Sequence, residues 1–219
     1  MNIQDTAILF DLDGVVFSSE NYYTDFWTME AKKYLPHETN FAQLIKGHGL
    51  NDIFRQYFNG KNDVQQEIIK DLKEVEANMD FVYIKGVQRF LEHICSLDLK
   101  RCLVTSSMND KMEHVFKKHP EMKKYFPLIV TASDIEHAKP SPDCYIKASS
   151  LCNTPADRCI VFEDSIAGMQ AAHSAGMQVI GLATTLKREE IMPYAHAVID
   201  NFENMDTQMM MKLSEQTNQ

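Results

Sequence analysis

The sequence predicts an α/β fold: a Rossmann-like parallel sheet core with a helical domain inserted after the first strand. Three observations lead there. The apolar run Ala7-Ile8-Leu9-Phe10 ends abruptly in Asp11-Leu12-Asp13-Gly14, the chain then keeps a helical period as far as Phe81, and from Gly86 short apolar runs alternate with helical ones. Such alternation implies right-handed crossovers between parallel strands. The expected division is an α/β core of residues 1–17 and 82–219, interrupted by a helical domain of residues 18–81.

Taken in order, Ile8 to Asp11 reads as the first strand. Tyr22, Tyr23, Phe26, Trp27, Ala31 and Tyr34 recur at helical spacing until Pro36 stops the run. Phe41, Leu44 and Ile45 follow, ending at Gly47, and Leu50, Ile53, Phe54, Tyr57 and Phe58 form a third face ending at Gly60. Val64, Ile68, Leu72, Val75 and Met79 make a fourth, behind Asn62 or Asp63 as its cap. Beyond Gly86 the expected elements are a helix over Val87 to Leu97, a strand over Arg101 to Thr105, and a helix from Asp110 to Lys118, broken by Pro120. A strand over Leu128 to Thr131, a helix over Asp143 to Leu151 and a strand over Cys159 to Phe162 come next. Helix Ser165 to Ala175, strand Val179 to Leu182, short helix Lys187 to Met192 and strand Ala197 to Ile199 complete the alternation. Methionines 209 to 211 belong to a terminal helix, and the polar end Ser214 to Gln219 reads as disordered.

With 219 residues, 44% hydrophobic and 24% charged, the composition is that of an ordinary globular protein. A net charge of −9 argues against a nucleic-acid or anionic-membrane partner, because either needs a basic surface to displace counterions. It does not exclude an anionic small substrate, since a bound dication and one lysine reverse the local field. The cysteines at 95, 102, 144, 152 and 159 form no CxxC pair and read as reduced core residues. The start Met1-Asn2-Ile3-Gln4-Asp5 lacks the basic and apolar regions of a signal peptide, and no apolar run reaches membrane-spanning length, so a cytoplasmic location is expected. No obligate protein partner is evident. The lysines 117, 118, 123 and 124 read as a solvated face.

Chemistry concentrates where strands end. Asp11 and Asp13, one residue apart, point in different directions, so they do not duplicate each other. Beside a cation, the first can attack an electrophilic phosphorus while the second protonates the leaving oxygen. A calcium loop is disfavoured because Val15 and Phe17 stand where it needs oxygen ligands. Thr105-Ser106-Ser107 ends a strand just before a helix, where hydroxyls and free N–H groups serve either as a cap or as a phosphate cradle. In Lys139-Pro140-Ser141-Pro142 the prolines hold a loop lysine after a strand; it is either a solvated charge or a site residue. Glu163 and Asp164 end another apolar strand and open a helix. Acids there can be mere caps, but two carboxylates aimed at the edge that carries Asp11 and Asp13 repel unless a cation lies between, and oxygen-only ligation favours Mg2+.

These residues together resemble the haloacid dehalogenase superfamily, in the branch of β-phosphoglucomutase and small-molecule phosphatases. The resemblance rests on Phe10-Asp11-Leu12-Asp13-Gly14-Val15, Leu103-Val104-Thr105-Ser106-Ser107, Lys139-Pro140-Ser141-Pro142 and Glu163-Asp164-Ser165 with Gly168, Ala171, Ala172, Ala175 and Gly176. It implies Asp11 as nucleophile, Asp13 as general acid and base, and Thr105 and the Ser106 N–H as phosphoryl contacts. It further implies Lys139 bridging to Asp11, Mg2+ held by Asp11, Asp164 and the Asp13 carbonyl with Glu163 supporting that shell, and residues 18–81 acting as a mobile cap. Asp13 itself favours phosphoryl transfer over dehalogenation, because a halide leaves without a proton.

The expected activity is therefore Mg2+-dependent hydrolysis of a small phosphorylated metabolite, a sugar or polyol phosphate. The alternative is a β-phosphoglucomutase-like isomerase, in which Lys46, Ser107 and Asn109 would contact the sugar phosphate. A regulatory protein that kept the fold without turnover is disfavoured by the intact Asp11, Asp13, Lys139 and Asp164. Three departures bear on the choice: Ser18 replaces an aspartate common in the family, Tyr23 stands where the mutase has histidine, and Lys46-Gly47 is followed by His48, Gly49 and Leu50 with no phosphate-binding arginine. Without that guanidinium the hydrolase ranks above the mutase. Lys46, His48, Tyr22, Tyr23 and Asn51 remain candidate substrate readers in the cap.

Overall fold

A computed structural model describes residues 2–215. Strand β1 (Ala7–Phe10) is followed by the four helices of the insert, α1 (Glu20–Tyr34), α2 (Phe41–Leu44), α3 (Leu50–Tyr57) and α4 (Asn62–Asn78). The chain then runs through α5 (Val87–Ser96), β2 (Lys100–Val104), α6 (Asn109–Lys118), α7 (Met122–Tyr125) and β3 (Leu128–Val130). It continues through α8 (Asp143–Leu151), β4 (Cys159–Glu163), α9 (Ile166–Ser174), β5 (Gln178–Leu182), α10 (Arg188–Ile191), β6 (Ala197–Ile199) and α11 (Thr207–Ser214). No helix among the described residues is long and apolar enough to cross a membrane.

The six strands are parallel, in the order β3-β2-β1-β4-β5-β6. Strand β1 lies between β2 and β4, and the chain winds outward from it in opposite directions, which makes its carboxyl end the crevice of the sheet. Helices cover both faces, so the strands read as unbroken apolar runs. Ile8 and Phe10 join one core with Leu103, Ile160 and Phe162, whereas Ala7 and Leu9 join the other with Cys102, Val104 and Val161. The register aligns Phe10 with Leu103 and Phe162, so the polar residues that follow each strand emerge along one edge.

The insert encloses a separate apolar cluster that includes Phe26, Trp27, Phe41, Phe54, Phe58 and Ile68. Its rings meet edge to face, as at Phe41 and Tyr57 with centroids 4.9 Å apart. Helix α1 ends at Tyr34 because the residue before Pro36 is sterically barred from continuing the helix. Two chain crossings tie the insert to the sheet, and they pair with each other: the Ser18 N–H donates to the Val82 carbonyl at 2.8 Å and the Ile84 N–H to that of Val16 at 2.9 Å.

Some expectations need correction. Asn62 and Asp63 do not cap α4. Lys61 holds the capping position, and the two residues lie inside the first turn, where the Asp63 charge suits the helix dipole. Pro120 ends α6 but only interrupts the helical path, which resumes as α7. Ser214 is buried at the end of α11 and Glu215 follows as its exposed C-cap, while the remainder of the segment expected to be disordered, from 216 onward, lies outside the described residues. Lys118 is not simply solvated: its ammonium donates to the Met79 carbonyl and lies 5.8 Å from the Phe81 ring centroid.

Candidate active site

Lys139 organises the crevice. Its Nζ lies 2.5 Å from Asp11 Oδ1 and 2.6 Å from Glu163 Oε1, with the side chain nearly enclosed and the Tyr145 ring centroid 5.1 Å away. Burial works against the ammonium, but the two carboxylates outweigh it and hold the Lys139 pKa well above the usual lysine value. Burial likewise pushes the Asp11 carboxyl up, to about 7, against the pull of Lys139 and with the Glu163 charge adding to the push. Asp164 rises well above the ordinary carboxylate range through burial and through the charges of Glu163 and Asp11.

Glu163 and Asp164 take opposite parts although they are neighbours. Glu163 Oε1 accepts from Lys139 and, at 3.2 Å, from the Tyr145 hydroxyl. Its Oε2 accepts the Asp164 and Ser165 N–H groups, both at 2.8 Å, and the Ser165 hydroxyl at 3.0 Å. With both oxygens so engaged, Glu163 fixes Lys139 and the start of α9. Gly168 makes room for it: a Cβ there would collide with the Glu163 carboxylate. Asp164 instead lies against Gly14, whose φ of +75° and missing side chain allow the approach. The Thr184 hydroxyl holds the Gly14 carbonyl at 2.6 Å, and Thr185 hydrogen-bonds Asp164.

A hard dication fits this donor set. The charges of Glu163 and Asp11 add to burial in raising the Asp164 pKa, and a cation beside Asp11 and Asp164 would relieve that repulsion. No three or more His, Cys, Asp or Glu side chains among the described residues gather as a metal cluster. Two carboxylates alone would leave the remaining positions of an octahedral dication to backbone, water and substrate oxygens, a donor set that suits Mg2+.

Asp13 has a neighbour that the sequence did not reveal. Lys111 of α6 is buried, with its Nζ 2.5 Å from Asp13 Oδ2 and 2.6 Å from the Tyr23 hydroxyl. That hydroxyl donates to Glu76 Oε1 at 3.1 Å, and the Ser107 hydroxyl donates to Asp13 Oδ2 at 3.2 Å. Thr105 is buried at the end of β2, where its Oγ1 accepts the Ser107 N–H at 3.0 Å, while Ser106 is exposed beside it. Asn109 Oδ1 accepts from the Thr131 hydroxyl at 2.9 Å. Lys46 is paired with Glu20 at 2.9 Å, and Tyr22 is tied to Asp80 at 3.1 Å. His48 and Asn51 are exposed. The loop carrying Lys46 is seated on the core, since a Cβ on Gly47 would lie 3.5 Å from Leu186 and 3.9 Å from Ser165. Beside it, between the insert and the core, opens a cleft of 650 Å³ whose lining includes Lys46, His48, Asp52, Gln170, Thr185 and Lys187.

This fold and crevice define a family. Residues 8–182 match the model of the haloacid dehalogenase-like hydrolases, and the chain belongs to that family. Among curated relatives, a phosphorylated carbohydrates phosphatase from Thermotoga maritima is 24% identical over 208 residues, covering 88% of this chain and 92% of the relative. A haloacid dehalogenase hydrolase structure from Entamoeba histolytica superposes with a TM-score of 0.83 at 23% identity, over 96% of this chain and 99% of that one. The β-phosphoglucomutase structure from Clostridium difficile gives 0.77 at 22% identity, over 95% and 96%.

Proposed function

We propose that the chain is a Mg2+-dependent phosphoric monoester hydrolase that cleaves a small phosphorylated metabolite, a sugar or polyol phosphate, through an aspartyl phosphate. The observation that carries it is the contact of Lys139 with both Asp11 and Glu163. A carboxylate buried at the end of the central strand, held by a cation and followed two residues later by a second carboxylate, suits attack on phosphorus. In the first step an Asp11 oxygen bonds to phosphorus as the ester P–O bond breaks, and Asp13 gives a proton to the departing alcohol. In the second, Asp13 takes a proton from water, water oxygen bonds to phosphorus, and Asp11 leaves as carboxylate with inorganic phosphate released. Thr105, the Ser106 N–H and Lys139 offset charge on the phosphoryl oxygens. Asp11, Asp164 and the Asp13 carbonyl would hold Mg2+, which supplies further positive charge at those oxygens when bound. The phosphatase name of the Thermotoga relative supports the carbohydrate class.

A mutase passes through the same phosphoenzyme but must also grip a second phosphate. Here Lys46 already pairs with Glu20, and no arginine follows Gly47. A screen of phosphorylated metabolites for released phosphate tests the hydrolase, with glucose 1-phosphate and a bisphosphate primer as the contrasting assay. Phosphate release from sugar or polyol phosphates supports the proposal. Isomer formed without free phosphate overturns it.

A further inference from the structure

We propose that Lys111 is the positioning residue of the general acid, and that it holds Asp13 jointly with Tyr23 and Glu76 of the insert. The proposal rests on the reading of Asp13 as the acid that protonates the leaving alcohol. A carboxyl group has two oxygens, and proton transfer requires that the donating one face the substrate while the other is held. Asp13 has this asymmetry. Its Oδ2 receives both Lys111 Nζ, at 2.5 Å, and the Ser107 hydroxyl, at 3.2 Å, whereas its buried Oδ1 has no hydrogen-bond partner among the described residues. Oδ1 is therefore the oxygen left to exchange a proton.

Lys111 is an unusual choice of holder, because a flexible lysine ordinarily keeps its ammonium in water. Its whole side chain is enclosed, with the Tyr23 ring centroid 5.1 Å from Nζ, so packing fixes where the charge lies. The remaining contacts come from the insert: the Tyr23 hydroxyl at 2.6 Å from α1, and Glu76 Oε1 at 4.0 Å from α4. Tyr23 donates to Glu76 while accepting from Lys111, so its hydroxyl links the two. The consequence is that Asp13 is fully held only while the insert is seated on α6, and the acid is assembled by the same contact that closes the site over substrate.

Leaving-group dependence separates this role from simple support of the fold. Phenyl phosphate needs protonation of its leaving oxygen more than 4-nitrophenyl phosphate does, so loss of a well-placed acid falls hardest on the former. kcat/KM for both is measured on the full chain with Mg2+ for the native protein, Asp13→Asn, Lys111→Met and Tyr23→Phe. The expected result is that Asp13→Asn and Lys111→Met each lose about tenfold more on phenyl phosphate than on 4-nitrophenyl phosphate. Tyr23→Phe, which removes one oxygen and keeps the ring, shows the same bias in smaller measure. If Lys111→Met does not fold, the bias in Tyr23→Phe decides alone. A biased Asp13→Asn beside unbiased Lys111→Met and Tyr23→Phe overturns the role of Lys111 and leaves the acid in place. An unbiased Asp13→Asn overturns the acid itself, and the proposal with it.

Discussion

The rings of Phe10 and Phe162 stack with centroids 5.1 Å apart, each one residue short of a site carboxylate, Asp11 just beyond β1 and Glu163 at the end of β4. Phe202 closes the cluster at 5.0 Å from Phe162, and all three side chains are fully buried. The distance between Asp11 and the Glu163 that anchors Lys139 is thus set by apolar packing directly beneath them.

Phe162→Ala is accordingly expected to cost about 3–5 kcal/mol of stability, the range for emptying a buried aromatic site. Phe162→Leu, which refills most of the volume, should cost less. Urea unfolding of the three proteins measures this, and a loss below about 1 kcal/mol for the alanine variant would mean that the floor of the site repacks freely.

Asp11→Asn should abolish phosphate release while raising thermal stability in the absence of divalent cations. The carboxamide is a poor nucleophile. It also removes one of the buried charges that push Asp164 upward. Melting curves in EDTA, together with turnover in Mg2+, check both halves. A variant that keeps near-native turnover removes Asp11 from the nucleophile's role, and one that melts lower than the native protein shows that the Lys139 pair outweighs the repulsion.

Mg2+ should stabilise the protein more at pH 8 than at pH 5. The folded pKa values of Asp11, at about 7, and of Asp164 lie above the ordinary 3.8. A carboxyl with a raised folded pKa contributes stability that is fully present below the unfolded pKa and is lost as pH rises through the folded one. The metal-free protein therefore loses this contribution between about pH 4 and pH 7 or above. Cation binding compensates most where both groups are ionised; at a concentration of 100 Kd it contributes about 2.7 kcal/mol. Thermal melts at both pH values, with EDTA or Mg2+, read the difference. Equal Mg2+ shifts at the two values contradict it, as does an undiminished shift in Asp164→Asn.

The sheet, the insert and the edge carrying Asp11, Thr105, Lys139 and Asp164 were legible because their signals are local. Each is an apolar run, a period or a polar residue at a strand end. What stayed hidden depends on direction and distance. Glu163 and Asp164 are adjacent, but successive residues leaving a strand turn to opposite sides, so one binds Lys139 and the other lies against Gly14. Only the structure shows which. Lys111 was passed over because a helix lysine usually reaches solvent, and its real partners, Asp13, Tyr23 and Glu76, are 98, 88 and 35 positions away in the chain. Helix α7 was missed because Pro120 reads as an end, although the chain behind a proline is free to start a new turn.

The insert should move as a unit against the sheet, pivoting where residues 16–18 pair with 82–84. The insert has an apolar cluster of its own beside the two that flank the sheet, and Tyr23 and Val75 touch both it and one of those, so displacement shifts these side chains while the insert's own cluster stays closed. Ion pairs bridge the contact between them: Lys73 of α4 meets Asp110 of α6 at 2.8 Å, exposed on both sides, and Lys111 meets Glu76 at 4.0 Å. The exposed Lys73 pair contributes little and reforms readily, whereas the enclosed Lys111 ties the insert to the core only while the two are seated together. The loop at Lys46 to His48 rests on Leu186 and Ser165, beside the start of α9, so a seated insert shields the crevice from water. Adding Mg2+ with beryllium fluoride, a mimic of the phosphorylated Asp11, should favour the seated state. Amide hydrogen exchange should then slow at residues 46–48 and 184–187, while exchange within Ile53 to Phe58, inside the insert's own packing, stays unchanged. Protection spread evenly over the insert points to ordering of the insert as a whole. No change at residues 46–48 means that the loop does not close over the site.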